Sequence, residues 1–481
     1  MLPYQSIEAV ESVDTPLSPE MANALDNWYK LYTNRAPWLG DSVKSLNLPA
    51  FISSELARQI LLELKWNITG KNGDTNKRAE YLKAEFEKML PALRHKLEQG
   101  CAAGGMTIKP YTKDGHLFFD FTMDWSLYPV AFDDDGNMSD VIFRDMIIEG
   151  KTIYNRLERH TVLNDDSVRI TQRAFKSTVK DSIGVPIPLT DVPQWADLAP
   201  DAIVKNTGGQ MFGWFKVAAA NNIDPDSPMG ASCFAKAKDT IEQADRQYSR
   251  LLWEFEGSEL AIDVDPTALR PRKTEGGAWK MPELNQRLFR AVDIEQRDHD
   301  LYNVYSPAIR DANLINGLNQ LYMRIEDQCG LARGTIADPN TEARTATELT
   351  IVRQRSYATV ADNQAALERC LRDVIRVMDL YASMYGLAPA GEYDVSFTWD
   401  DSIITDTEQE LNDRLALLNV GMMGKAEFRM WYFGETRDQA EKALAAIVRE
   451  KVDEQSASMS AILPQVPSTN TVGDPPPVLD D

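Results

Sequence analysis

Apolar and polar positions change period along this chain, and the changes mark out its elements. Two stretches near 21–33 and 53–66 repeat apolar residues at helical spacing. The second is read as opening at Ser53-Ser54-Glu55 and carrying Leu56, Ile60 and Leu64. A third, over 77–99, puts Leu82, Phe86, Leu90, Leu93 and Leu97 on one face. From Gly105 the pattern becomes that of strands. Segments 106–111 and 116–123 flank Lys113-Asp114-Gly115, and Asp-Gly between two such runs is a strong hairpin signal. Segments 128–132 and 138–148 flank Asp135-Gly136, and 156–163 and 167–175 flank Asn164-Asp165-Asp166. Together they predict an antiparallel meander with one apolar face, to which Ile142, Met146 and Ile148 are assigned.

Residues 178–230 are rich in Pro and Gly and predict a long connection with a short strand at 211–217. A helix over 232–255 follows. Residues 258–303 mix short strands and turns around Pro266, Pro271, Gly276-Gly277 and Pro282. Ser306-Pro307 predicts the next helix start, with Ser as N-cap and Pro in the first turn. Leu314, Leu318, Leu321 and Ile325 line that helix, which ends near Gly330. A small insert between two sizeable helices belongs at the tip of a helical hairpin. After a polar piece over 335–344, Thr345 and Glu348 form a capping box. It opens the longest helical run, in which Leu349, Val352, Val360, Leu367, Leu371, Val374, Met378 and Tyr381 recur with neither Gly nor Pro before Gly386. As one helix, about 40 residues reach roughly 60 Å. A strand at 393–399 and three further helices complete the expected α+β fold. Residues 1–20, with Pro3, Pro16 and Pro19, predict a flexible arm, and 453–481, with Pro475-Pro476-Pro477, a disordered tail.

Composition narrows the classes. Of 481 residues, 43% are apolar, enough for a sizeable core, and 26% are charged. No run of eighteen apolar residues occurs, and the first residues lack a basic segment followed by an apolar one. Neither a membrane span nor a secretory signal is therefore expected. Net charge is −22, and residues 386–481, with 18 acidic and 7 basic side chains, carry −11 of it. A domain that grips nucleic acid by its phosphates should be basic, so this end is expected to bind basic partners, to let DNA slide past, or simply to stay in solution. Cys101, Cys233, Cys329 and Cys370 form no CxxC pair and read as small buried hydrophobes in a reducing compartment.

Motifs that would carry catalysis are missing. There is no Gly-x-x-x-x-Gly-Lys-Ser/Thr loop, no His-Glu-x-x-His and no Gly-x-Ser-x-Gly. The histidines His95, His116, His160 and His299 have no partner at metal-ligand spacing. Asp133-Asp134-Asp135 could hold a metal, as in a nuclease or hydrolase, but three adjacent Asp leading into Asp-Gly read better as a solvated turn. Asp400-Asp401 after a strand invites the same comparison. The aromatics Trp125/Tyr128 and Trp431/Tyr432/Phe433 are not interleaved with basic residues and are assigned to core packing. The stripe over 345–385 also suits a coiled-coil scaffold or adaptor, although polar residues interrupt it.

Three segments resemble one family, the portal proteins of tailed double-stranded-DNA bacteriophages, in their siphophage branch of minor-capsid type. Tyr302-Asn303-Val304-Tyr305-Ser306-Pro307-Ala308-Ile309-Arg310 is similar to the entry to that family's second stem helix. Ile325-Glu326-Asp327-Gln328-Cys329-Gly330-Leu331-Ala332-Arg333-Gly334-Thr335 resembles the end of that helix, and Arg344-Thr345-Ala346-Thr347-Glu348 the opening of the long kinked helix. Gly424-Lys425 and Phe433-Gly434-Glu435-Thr436, each before a helix, fit as well.

The resemblance implies a portal fold in a ring of about twelve copies. Its implied parts are a wing over 21–231, stem helices 232–257 and 306–330, and a clip at 258–305. A tunnel loop at 331–345, a long helix and wing strand at 346–400, and a crown at 401–452 complete it. The clip would be a docking surface carrying Arg270, Arg272, Lys273, Lys280, Arg287 and Arg290. The tunnel loop would bring Asp338, Pro339, Asn340, Thr341, Glu342 and Arg344 to a DNA channel. Implied partners are duplex DNA without sequence preference, the terminase large subunit, a head–tail adaptor and the major capsid protein, with scaffold a further candidate. No catalytic residue, metal, cofactor or membrane is implied. The expected location is the capsid vertex of the virion, with the host cytoplasm during assembly.

Overall fold

The computed structural model describes residues 4–62, 64–71, 76–163, 165–258, 261–264, 272–273, 279–280, 289–291, 302–305, 308–338, 346–399, 407–433, 437, 440–447 and 449. The chain divides into two compact units, Met1–Asp400 and Asp401–Asp481.

The first unit begins with α1 (Tyr4–Glu11) and α2 (Pro19–Tyr32), then α3 (Leu48–Leu61), β1 (Leu64–Gly70) and α4 (Lys77–Ala103). The meander comprises β2 (Gly105–Lys113), β3 (His116–Met123), β4 (Leu127–Phe132), β5 (Met138–Glu149), β6 (Thr152–Leu163) and β7 (Ser167–Ser177). Short strands β8 (Val185–Ile187), β9 (Asp201–Lys205) and β10 (Gly213–Lys216) lead to helix α5 (Lys238–Gly257). Strands β11 (Ala261–Val264), β12 (Arg272–Lys273), β13 (Trp279–Lys280), β14 (Phe289–Ala291) and β15 (Tyr302–Tyr305) separate α5 from α6 (Asp311–Cys329). Helix α7 (Ala346–Met384) and β16 (Tyr393–Trp399) close the unit.

Helix α4 is the spine of the core: Leu82, Phe86, Met89, Leu93 and Leu97 are all buried along it. Asn76 caps its start by accepting from the Ala79 amide at 2.8 Å, and Gly104, at φ 92°, ends it. Helix α7 packs against α3, α4, β2 and β10 through Leu367, Leu371, Val374 and Met378. The main sheet has the order β4-β5-β6-β7-β8, and β9 also pairs with β7. A second sheet runs β10-β2-β3. The Asp-Gly hairpins form as the sequence predicts. Between β2 and β3, Asp114 and Gly115 sit at φ 52° and 77°.

Several expectations are corrected. Residues 1–20 are not all a loose arm, because α1 docks on the main sheet. Its Ile7 is buried with Tyr128, Ile142, Leu157 and Phe175, and the Tyr4 hydroxyl donates to the Leu127 carbonyl at 3.1 Å. The Thr15 hydroxyl donates to the Pro129 carbonyl at 3.1 Å. The helix expected over 53–66 instead runs from Leu48 to Leu61, with Pro49 in its first turn. Leu64 continues its apolar spacing but belongs to β1, which pairs antiparallel with β16 from Leu64↔Trp399 to Gly70↔Tyr393. Trp66, Ile68 and Thr69 suit a strand better than a helix, and Trp66 packs on Phe86 with ring centroids 4.9 Å apart.

Met146 and Ile148 do not face the core: they are 38% and 56% exposed, whereas Ile142 is buried. In that half of β5 the covered face is the opposite one, where Ile147 packs toward Leu189, Val192 and Trp195. These covering residues lie in the Pro- and Gly-rich stretch read as a connection with one strand, which in fact supplies β8, β9 and β10. Finally, residues 308–310 are not helical and the second hairpin helix begins at Asp311 rather than 306. Ser306 and Pro307, the capping Thr345, the expected tail and Asp400-Asp401 lie outside the described residues.

The second unit holds α8 (Thr407–Asn419) and α9 (Lys425–Phe433), with helical residues again at 440–447. The aromatics at 431–433, assigned to a core, are not in one: α9 has no buried residue, and Tyr432 and Phe433 are 54% and 58% exposed. Arg414 lies 4.3 Å from the Trp431 ring centroid and Arg429 lies 4.8 Å from that of Phe433, so cations do attend these rings.

Candidate functional site

Helices α5 and α6 pack against each other as a hairpin. Leu251 and Leu318 are buried in it, and the Gln247 side chain donates to the Leu314 carbonyl at 3.3 Å. At the tip that bears the insert, the Glu254 carboxylate accepts three bonds from Arg310, from the backbone amide at 3.2 Å, Nε at 3.1 Å and Nη2 at 2.7 Å. The bidentate fork holds the Glu254 carboxyl below its usual range. Further along α5, Asp245 accepts from Trp38 Nε1 at 2.9 Å and the Leu46 amide at 2.8 Å. Burial raises the Asp245 pKa despite these bonds. One carboxylate thus ties the hairpin to the segment between α2 and α3.

Beyond Glu254, five short strands form two small sheets. In one, β11 pairs parallel to β14 and antiparallel to β15, with Asp263 opposite Arg290. In the other, β12 and β13 put Arg272 opposite Lys280 and Lys273 opposite Trp279. Of the six basic residues expected on a docking surface, Arg272, Lys273, Lys280 and Arg290 therefore sit on strands. Arg270 and Arg287 lie outside the described residues.

The other end of α6 carries the segment expected to enter a channel. Gly330, at φ 68°, turns the chain out of the helix. A side chain there would also strike Thr359 of α7, so both conformation and close approach demand glycine. Glu326, fully buried, faces the departing chain. Its Oε1 accepts from the amides of Gly334, Ile336 and Ala337 at 3.1, 2.5 and 2.8 Å, and its Oε2 also lies 3.2 Å from the Gly334 amide. Asp338 is exposed, and its amide donates to Asn319 Oδ1 at 2.8 Å. The first part of this loop is anchored to the core, since Leu331 and Ala337 are buried. Pro339, Asn340, Thr341, Glu342 and Arg344 lie outside the described residues. Glu326 and Asn319 escaped the reading of the sequence. Glu326 lies within the 325–335 segment that resembles the end of the second stem helix, and its place beside Ile325 on the buried side of α6 is the signal the sequence offers.

A family model described as "Phage portal protein, SPP1 Gp6-like" matches residues 45–455. The chain belongs to that portal family. The match spans most of the chain and runs from α3 past α9, so the α+β portal fold, the hairpin and the long helix come under one assignment. No curated protein matches the chain. As a phage portal protein it is a head–tail connector of the virion capsid that acts in genome packaging, built into a ring with head and tail proteins. The family is structural rather than catalytic.

Of the acidic clusters of this portal chain, the described one, Asp133-Asp134-Asp135, forms a turn. Asp133 closes its own turn, its Oδ1 accepting from the amides of Asp135 and Asn137 at 3.1 and 2.7 Å. Among the described residues no group of three His, Cys, Asp or Glu is placed to hold a metal ion. His160 is buried with its Nε2 2.7 Å from Glu158 Oε1, which also accepts from Lys109 Nζ at 2.8 Å. Burial lowers the His160 pKa. Burial alone would raise that of Glu158, but Lys109, His160 and Arg156 outweigh it and hold the carboxyl well below its usual range. Phe143 and Phe212 pack around His160, and the Lys109–Glu158 ion pair joins β2 to β6 as a structural staple. Trp125 and Tyr128 are core residues, as expected. All four cysteines are free; Cys101, Cys329 and Cys370 are buried. Among the described residues no helix is long and apolar enough to cross a membrane.

Proposed function

We propose that this chain assembles into a portal ring of about twelve copies that conducts duplex DNA without reading its sequence. The carrying observation is the family match over residues 45–455, joined to the hairpin that bears small sheets at one end and the clasped segment at the other. The hairpin is the stem, the sheets of 258–305 the clip, and 331–345 the channel loop. Residues 21–231 and 346–400 form the wing and 401–452 the crown.

The clip binds the terminase large subunit during packaging and a head–tail adaptor afterwards. Mixed charge on short strands suits such an exchangeable surface better than a dry core does. The wing meets the major capsid protein during assembly in the host cytoplasm. The chain has no catalytic activity of its own. Asp338, Glu342 and their copies repel phosphates, and Arg344 touches them in passing. Negative-stain imaging of the purified full chain tests the assembly directly. Closed rings are expected, and a stable monomer at micromolar concentration with all helices formed would sink the reading.

A further inference from the structure

Asn319 and Glu326 stand seven residues apart on α6, so they share a face about 10 Å apart along the axis. Both bind the chain that has just left the helix. Glu326 holds the amides of Gly334, Ile336 and Ala337, and Asn319 holds the amide of Asp338. The Asn319 side-chain nitrogen also lies 3.5 Å from the Asp338 carbonyl, so that residue is gripped from both sides. After Gly330 the chain therefore doubles back along its own helix. Leu331 and Ala337 turn inward, and Arg333 pairs with Asp327 outside at 2.8 Å. Only residues 339–345 separate this clasp from Ala346, where α7 begins.

A carboxylate taken out of water must be satisfied, and amides buried beside it must find an acceptor. Here one carboxylate meets three backbone donors, an arrangement far more specific than packing needs. Aspartate would be too short to reach, and an apolar side chain would leave the donors unpaired. We propose that Glu326 is the positioning residue of the channel loop: it fixes residues 331–338 to the stem helix, so that the loop's origin moves with α6. This rests on reading 331–345 as the channel loop. A displacement of the stem, as on docking at the clip, would then shift the loop's origin rather than be absorbed in slack chain.

The test compares Glu326→Ala, Glu326→Gln and a chain shortened within 339–343, each as full-length rings and in procapsids supplied with motor and DNA. Glutamine keeps one carbonyl oxygen able to take the same three donors, so it should restore part of what alanine loses. In Glu326→Ala rings of unchanged mass, the amides of Gly334, Ile336 and Ala337 should exchange hydrogen about tenfold faster or more. Yield of packaged genomes should fall, and adding Glu326→Ala to the shortened loop should cause no further loss. Normal packaging by Glu326→Ala beside a defective shortened loop would overturn the positioning role and leave the channel loop standing. Losses that add would also overturn it, since they would report general destabilisation. Normal packaging by both variants would remove the channel-loop reading and this inference together. Should Glu326→Ala form no rings, Glu326→Gln carries the comparison: unchanged exchange and unchanged yield would overturn the proposal.

Discussion

At the scale of single residues, two buried positions make separable predictions. Asp124 sits between β3 and β4 with Trp214 Nε1 3.2 Å from its Oδ1, while its Oδ2 has no hydrogen-bond partner. Burial pushes its pKa up to about 8, although the Trp214 bond and Lys216 pull the other way. The folded chain therefore keeps a proton that an unfolded Asp releases near its ordinary value. Its stabilising share is complete below that value and is lost as pH rises toward about 8. Asp124→Asn stays neutral throughout. Its melting temperature relative to the unaltered chain should climb between pH 5 and pH 9, by an amount worth on the order of a few kcal/mol. A difference that stays flat with pH would mean that Asp124 is ionised in the fold. Gly330→Ala places a methyl group in a left-handed conformation against Thr359. It should cost about 1–3 kcal/mol, read as a lower unfolding midpoint, whereas Gly386→Ala, with open space around it, should cost less.

At the scale of elements, the clip lends itself to excision. Removing residues 270–282 takes away β12 and β13, which pair with each other, and leaves the β14-β11-β15 sheet its strands. Rings should still form, and binding of the terminase large subunit or adaptor in pull-down or surface-binding assays should disappear. Retained binding would put the interface elsewhere. How far such elements could be read from the sequence depended on how local their causes are. The Asp114-Gly115 hairpin, α7 and β16 follow from turn chemistry and period within a few residues, and the sequence predicts them closely. Helix α3 and β1 mislead because Leu64 extends the spacing of Leu56 and Ile60, while the partner that makes β1 a strand lies at 393–399. The face of β5 was legible at Ile142 but not at Met146, whose exposure depends on a covering segment beyond β7. The hairpin was legible as two helices around an insert. Its working contacts, Glu254 with Arg310 and Glu326 with the chain beyond Gly330, link separate segments and leave no period to find.

At the scale of the whole molecule, charge and copy number set the terms. With −22 on each chain and −11 beyond residue 385, a ring should present duplex DNA with little to hold. In filter binding at physiological salt, association should be weak and independent of sequence, and tight selective binding would contradict a channel. A subunit gathered in many copies also faces a hazard that a solitary protein escapes, because every open strand edge is a template for its neighbours. The main sheet is closed against this on both flanks. On β4, hydroxyls of Tyr4 and Thr15 occupy the carbonyls of Leu127 and Pro129. On β7, the edge is divided, β9 taking 167–171 and β8 taking 174–176, so neither short strand offers a long run to copy. Crowded chains are thereby steered away from polymerising through their sheets and toward closed assembly. Chains lacking residues 1–16 should fold their main sheet yet scatter light increasingly with concentration, as fibres or amorphous stacks grow from the uncovered edge of β4.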